Sequence, residues 1–206
     1  MFLAGPKCYP QPTAAVVAVD GPDREEIPIL PELSSGGRQM NPTIPSRIYL
    51  LRHAKSAWAR PGERDFDRPL DDEGYAEAEI VAEKAADRRY RPDRVISSTA
   101  ARCRQTAEAV RRALDEELAV TYVDELYNAP LDIYLELVST VDTADALMFI
   151  GHNPAIEEVF ERLAGTEQAT AVIPGGYPTA GLAVLDPPGA QDGPYWRLVD
   201  FLTARP

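Results

Sequence analysis

Cysteine is almost missing from this chain: among 206 residues only Cys8 and Cys103 are cysteines. Two are too few for a disulfide framework, and no Cys-x-x-Cys pair suggests zinc or redox chemistry, so the usage fits a reducing cytoplasm. Long apolar runs are missing too. No stretch approaches the roughly 18 residues that a membrane helix needs, and a soluble protein with no membrane partner is expected. Positive charge is scarce, with 21 Lys and Arg against 33 Asp and Glu and a net charge of -12. Such a surface repels nucleic acid, which is excluded as a partner, and any anion site has to be a local positive pocket. Several catalytic signatures are also lacking. A cysteine phosphatase needs Cys, five residues and then Arg, but Ala109 and Ala14 stand at that spacing from Cys103 and Cys8. There is no Gly-x-Ser-x-Gly elbow and no Gly-x-x-x-x-Gly-Lys-Ser/Thr loop, which disfavours a serine hydrolase and a P-loop NTPase.

What is present falls into two parts. Residues 1–46 hold eight of the 19 prolines together with "SSGG". Their apolar clusters, such as "AAVVAV", are short, and we read the segment as a weakly ordered extension. Pro6 interrupts the opening apolar stretch, which argues against a secretory signal, and Met40 offers a second translation start. Residues 47–206 read as one domain in which strand-like and helical segments alternate. "RIYLLRH", "DRVISS", "LAVTYV" and "ALMFIGH" are strands. Between and after them, "DEGYAEAEIVAEKAADRRY", "TAARCRQTAEAVRRALDEE" with Thr99 as N-cap, "PLDIYLELVSTV" and "PAIEEVFERLAG" are helices. "GLAVLD" and "YWRLVDF" are two late strands. This alternation implies an α/β fold, a mainly parallel central sheet covered by helices on both faces, with ligands bound beyond the carboxyl ends of the strands.

Both histidines of the chain close predicted strands, His53 after "IYLLR" and His152 after "ALMFIG". Both imidazoles therefore face one crevice in this reading. Arg52 ends an apolar strand with no evident acidic mate, and a phosphate matches its fork of donors. Arg102 and Arg104 lie in the opening turns of the second helix, where free amides already favour an anion, and helical spacing sends them in different directions. A net-acidic chain that gathers two histidines and arginines at strand ends builds the local cationic site that a phosphoryl group requires. Competing readings are a metal hydrolase, which would need two distant histidines plus acids, and a phospho-ligand-binding module without turnover.

The segments "LLRHAKSAW", "SSTAARCRQTAEAV", "LYNAP" and "IGHNP" resemble, in order and spacing, the histidine phosphatase superfamily with its phosphoglycerate-mutase-like fold. Within it they resemble the SixA-type phosphohistidine phosphatases, as do "DFDRPLDDEG" and "PTAGLAVLD". The likeness spans about residues 47–201, with Ala54 where the superfamily usually has glycine.

The resemblance implies a three-layer α/β/α sandwich and a phosphatase without metal or other cofactor. His53 would be the nucleophile, Arg52 and Arg102 would clamp the phosphoryl oxygens, and His152 would be a further phosphate donor. Ser56 matches a small hydroxyl residue near the phosphate in relatives. Glu125 stands near the place of the proton-donating glutamate of mutase-type relatives, with Asp124, Asp65 and Asp67 as alternatives. The implied partner is a phosphorylated protein, or else a small phosphate ester. The mutase reading is weaker, because the chain lacks the length usual for a lid.

Overall fold

A computed structural model describes residues 44–140, 146–189 and 193–205. All but the last three residues of the expected extension at 1–46 lie outside the described residues. Among those described, six strands form one sheet: β1 (Arg47–Arg52), β2 (Arg94–Ser98), β3 (Val120–Val123), β4 (Ala146–Gly151), β5 (Leu182–Asp186) and β6 (Arg197–Leu202). Their order across the sheet is β3-β2-β4-β1-β5-β6. The first four are mutually parallel, and β5 runs antiparallel to both β1 and β6. The mainly parallel sheet read from the sequence is thus present, with an antiparallel strand pair added at one edge.

The twofold period of β1 explains why both faces are covered. Ile48 and Leu50 point into a core shared with α3 (Leu131–Thr140), α4 (Ala155–Ala164) and α5 (Thr166–Val172). Tyr49 and Leu51 point the other way, into a core shared with α1 (Asp72–Asp87) and α2 (Ala101–Leu114). β4 divides likewise, with Leu147 and Phe149 on one face and Met148 and Ile150 on the other. An all-apolar strand buried on both faces is what a parallel sheet between two helical layers demands.

Two departures from the predicted elements bear on the site. Thr99 does not cap the second helix: Ala100 is the N-cap residue, with no side-chain cap, and Thr99 Oγ1 is buried without a partner. The turn is made one residue earlier, where Ser98 Oγ accepts the Ala100 N–H at 3.3 Å, a local bond of the kind that competes with helix capping. The short helix α5 was not read from the sequence, because Gly165 (φ 86°) ends α4 and then opens a second helix at once.

α1 packs against the segment that follows β1. Asp71 caps it by accepting the Gly74 N–H, the Asp71 N–H donates to the Lys55 carbonyl at 3.2 Å, and the buried Glu77 carboxylate accepts the Lys55 N–H at 3.0 Å. The approach is so close that a Cβ on Gly74 would lie 1.9 Å from the Lys55 carbonyl oxygen. Only glycine fits there without a backbone shift. Gly74→Ala is therefore expected to cost about 1–3 kcal/mol, the usual penalty of overpacking, seen as a lower urea midpoint. An unchanged midpoint would show that the helix does not bear on this segment.

Candidate active site

Parallel pairing of β1 with β4 sets Arg52 opposite Gly151. The next residue of each strand is a histidine, and the His53 N–H donates to the Gly151 carbonyl at 3.0 Å. The two imidazoles consequently lie with ring centroids 5.0 Å apart, 8 % and 7 % exposed. The first turn of α2 brings Arg102, also buried, to the same point, where its Nε–H faces His53 Nε2 at 3.3 Å. Thr106, one turn further on, fastens helix to strand: its hydroxyl donates to the Arg102 carbonyl and accepts the Ala54 N–H.

His53 Nδ1 stands 2.8 Å from the Ala54 carbonyl, which can only accept, so Nδ1 carries the proton and Nε2 the lone pair. Burial, with the charges of Arg102, Arg52 and Arg68 in support, pushes its pKa down to about 4. Burial likewise, helped by His53 and Arg102, pushes His152 down to about 3. Both rings are therefore neutral at pH 7. Arg52 gives one N–H to the Tyr177 carbonyl at 2.6 Å, while its Nε is buried with no partner, as is His152 Nδ1. Its pKa is lowered by burial, against the opposing pull of Glu157 and Glu77. The lone pair on His53 thus accepts the Arg102 Nε–H, while the buried Arg52 Nε and His152 Nδ1 keep unfilled hydrogen-bonding capacity, an arrangement suited to an anion.

Two networks hold the arginines. The Tyr177 carbonyl that receives Arg52 also takes the Asn153 amide at 3.3 Å, and Glu157 accepts from both Asn153 (2.7 Å) and the Tyr177 N–H (3.1 Å). The Tyr177 phenol donates to Leu50 O and accepts from the Ala183 N–H, which ties this loop to β1 and β5. On the other side, Arg102 donates to the Asp65 carbonyl at 2.7 Å and to its carboxylate at 3.0 Å. Asp65 also accepts from Tyr127 and Arg68, and these partners, Tyr127 foremost, hold its pKa down at about 2. Tyr127 stands edge-on to both Phe66 and His152 and beneath the Arg102 guanidinium, forming an aromatic wall.

Of the residues anticipated from sequence, His53, Arg52, Arg102 and His152 converge. Ser56 does not join them through any hydrogen bond: its hydroxyl accepts from Arg68 at 2.8 Å and its backbone bridges to Leu70. Glu125 is not joined to them either. It lies exposed on a 3-10 turn (Asp124–Tyr127), and no hydrogen bond or ion pair joins it to the site. Asp124 is exposed on the same turn, and Asp67 is engaged by Arg64. The acid that touches the cluster is Asp65, because the loop after β1 folds back over α2. Arg104 turns away, to the Thr99 carbonyl and the Tyr122 ring. Glu157 and Tyr127 were not singled out as site residues, although "LYNAP" and the helix after "IGHNP" contain them. Among the described residues, no group of three or more His, Cys, Asp or Glu is arranged to hold a metal ion. No helix among them is long and apolar enough to cross a membrane.

Two buried neutral histidines make stability depend on pH. Below about 6.5 the unfolded chain takes up protons that the native rings refuse until roughly pH 4 and 3, so stability is full above 6.5 and falls as pH falls. Each ring contributes a loss approaching about 1.4 kcal/mol per pH unit. Asp65 acts lower, its stabilisation being lost only as pH drops from 3.8 toward 2. The urea midpoint is expected to decline between pH 7 and 5; a flat midpoint would contradict burial of the neutral pair.

Comparison with known proteins gives the family. The pattern of the histidine phosphatase superfamily (branch 1) matches residues 48–140. A crystal structure of a provisionally assigned phosphohistidine phosphatase, SixA, from Agrobacterium tumefaciens is 52 % identical, with a TM-score of 0.72 over 78 % of this chain and 99 % of that one. An uncharacterised protein of Mycobacterium tuberculosis is 35 % identical over 140 residues, covering 66 % of this chain and 85 % of its own. An uncharacterised chloroplastic protein of Arabidopsis thaliana is 34 % identical over 133 residues, and the match spans 61 % of its length. The paired histidines, the arginines around them and these relatives lead to one conclusion: the chain belongs to the histidine phosphatase superfamily, in its SixA-like group.

Proposed function

We propose that this protein is a metal-independent phosphatase that carries the phosphoryl group covalently on His53 and removes it from phosphohistidine in proteins. The observation that carries the reading is the state of His53: a neutral ring, its Nδ1–H fixed on the Ala54 carbonyl, with Nε2 bearing the lone pair among Arg52, Arg102 and His152. Such a nitrogen needs no base to attack phosphorus. In the first step the Nε2–P bond forms while the bond from phosphorus to the leaving nitrogen breaks, and that nitrogen takes a proton from solvent water. In the second step water attacks phosphorus, the Nε2–P bond breaks, and inorganic phosphate and free His53 are restored. Arg52, Arg102 and His152 stabilise the charge spread over the phosphoryl oxygens in both steps.

The preference for phosphohistidine follows from the acid. Glu125 is exposed and makes no hydrogen bond to the cluster, and Asp65 is held ionised by Tyr127, Arg68 and Arg102, so neither is arranged to protonate a leaving alkoxide. A departing imidazole is readily protonated and makes little demand on an enzyme acid. The aromatic wall of Phe66 and Tyr127 offers a planar leaving ring a stacking surface. The 52 % identical SixA protein, provisionally a phosphohistidine phosphatase, supports the same substrate class.

The test is hydrolysis, with chelator present, of a phosphohistidine peptide and an aryl phosphate by wild type and His53→Ala. Wild type is expected to favour the peptide, and the variant to lose roughly a thousandfold or more on either substrate, as when a covalent nucleophile is removed. Binding of phosphorylated ligand without turnover would contradict the enzyme reading. Preference for the ester would contradict the substrate.

A further inference from the structure

Ser98 has no part in the steps above, yet it is fully buried beside His152. It ends β2, the strand adjacent to β4, and its Oγ lies 3.0 Å from His152 Nε2. The same oxygen accepts the Ala100 N–H at 3.3 Å. Cys103, in the first turn of α2, places its Sγ 3.4 Å from the same nitrogen, and burial pushes this thiol up to about 12, so it keeps its proton at neutral pH. On the far side of the ring, Nδ1 is buried with no partner.

These heavy atoms admit two placements of the ring proton. If Nε2 is protonated, it donates to Ser98 Oγ. The serine hydrogen must then turn elsewhere, with the weakly accepting Cys103 sulfur at hand; Nδ1 has no protein partner in either placement. If Nε2 is the acceptor, it takes the Ser98 O–H, a strong bond, with the Cys103 S–H directed either to it or to the Gly151 carbonyl at 3.9 Å, and the ring proton resides on Nδ1. The second placement uses the stronger bonds, since sulfur is poor as donor and as acceptor. It also leaves on the unpartnered Nδ1 a neutral N–H able to donate to an anion, whereas the first leaves a lone pair there.

We propose that Ser98 is a positioning residue that fixes His152 in its Nδ1–H tautomer, so that a neutral ring donates a hydrogen bond to the phosphoryl group. The inference rests on the phosphatase reading for its purpose but not for its test. His152 then becomes a donor whose proton is set by a buried hydroxyl on the neighbouring strand, and His53 has its own tautomer set by the Ala54 carbonyl. The two rings share one tautomer through two different partners, one exposing a lone pair and the other an N–H.

Long-range 15N–1H correlation spectra of the 15N-labelled protein at pH 7 read the tautomers directly. The chain has only two histidines, so two imidazole patterns are present and His53→Ala assigns them. The expected result is a protonated Nδ1 and a bare Nε2 on His152 in wild type. In Ser98→Ala that proton should redistribute toward Nε2. With it, kcat should fall roughly a hundredfold, the loss usual for one preorganised donor, and inorganic phosphate should bind more weakly. A wild-type His152 protonated on Nε2, or a Ser98→Ala spectrum with the wild-type tautomer, would overturn the assignment. The wild-type spectrum alone is decisive if the variant does not fold. Because the spectrum needs no turnover, absence of hydrolysis would count against the phosphatase reading, and only the wrong tautomer would count against Ser98.

Discussion

The site depends on the parallel register between β1 and β4. Arg52 opposite Gly151 makes His53 and His152 neighbours at the carboxyl end of the sheet, and the His53 N–H bond to the Gly151 carbonyl fixes that register at its last rung. A slip of one residue would turn Ile48 and Leu50 out of one core and Tyr49 and Leu51 out of the other, so hydrophobic burial on both faces enforces the alignment of the two rings. β2 lies on the far side of β4 and brings Ser98 and the start of α2 to the same end. The two histidines are thus positioned by the buried core, while loops supply the Asp65, Tyr127 and Tyr177 groups that hold the arginines.

Charge is handled locally against the bulk. The chain carries a net charge of -12, yet Arg52 and Arg102 are gathered around two imidazoles that burial of the rings, seconded by the arginines' charge, keeps neutral. Arg52 has no carboxylate in contact among the described residues; it leans on a backbone carbonyl that Glu157 holds in place from behind. Arg102 differs in having Asp65 as a direct partner. One guanidinium therefore waits with its Nε unpaired, and the other is steadied by a carboxylate that an arriving phosphoryl group would have to share or displace.

Much of this was legible in the sequence. An apolar strand running straight into Arg and His cannot bury both at no cost, and that conflict marks a functional end. The recurrence of histidine after "ALMFIG" located its counterpart. What escaped was tertiary. Nothing in local periodicity says that the loop after β1 folds over α2, so Asp65 could not be preferred over Glu125. Glu157 reads as one more acid on an amphipathic helix until Tyr177, distant in sequence, lays its backbone against it. Ser98 reads as a strand residue with a small side chain, and its contact with His152 exists only because β2 and β4 are adjacent. The failed N-cap at Thr99 has the same origin, since the hydroxyl that serves the turn is the one that also serves the histidine.

The most direct measurement is to locate the phosphoryl group on the enzyme during turnover, by rapid quenching into alkali followed by mass spectrometric mapping and 31P NMR of the labelled peptide. The expected result is a single phosphoryl group on Nε2 of His53, because Nδ1 is committed to the Ala54 carbonyl. A phosphoryl group on His152 or on Nδ1 of His53, or turnover with no phosphorylated enzyme at any time point, would contradict the central claim that Nε2 of His53, at the end of β1, is the nucleophile.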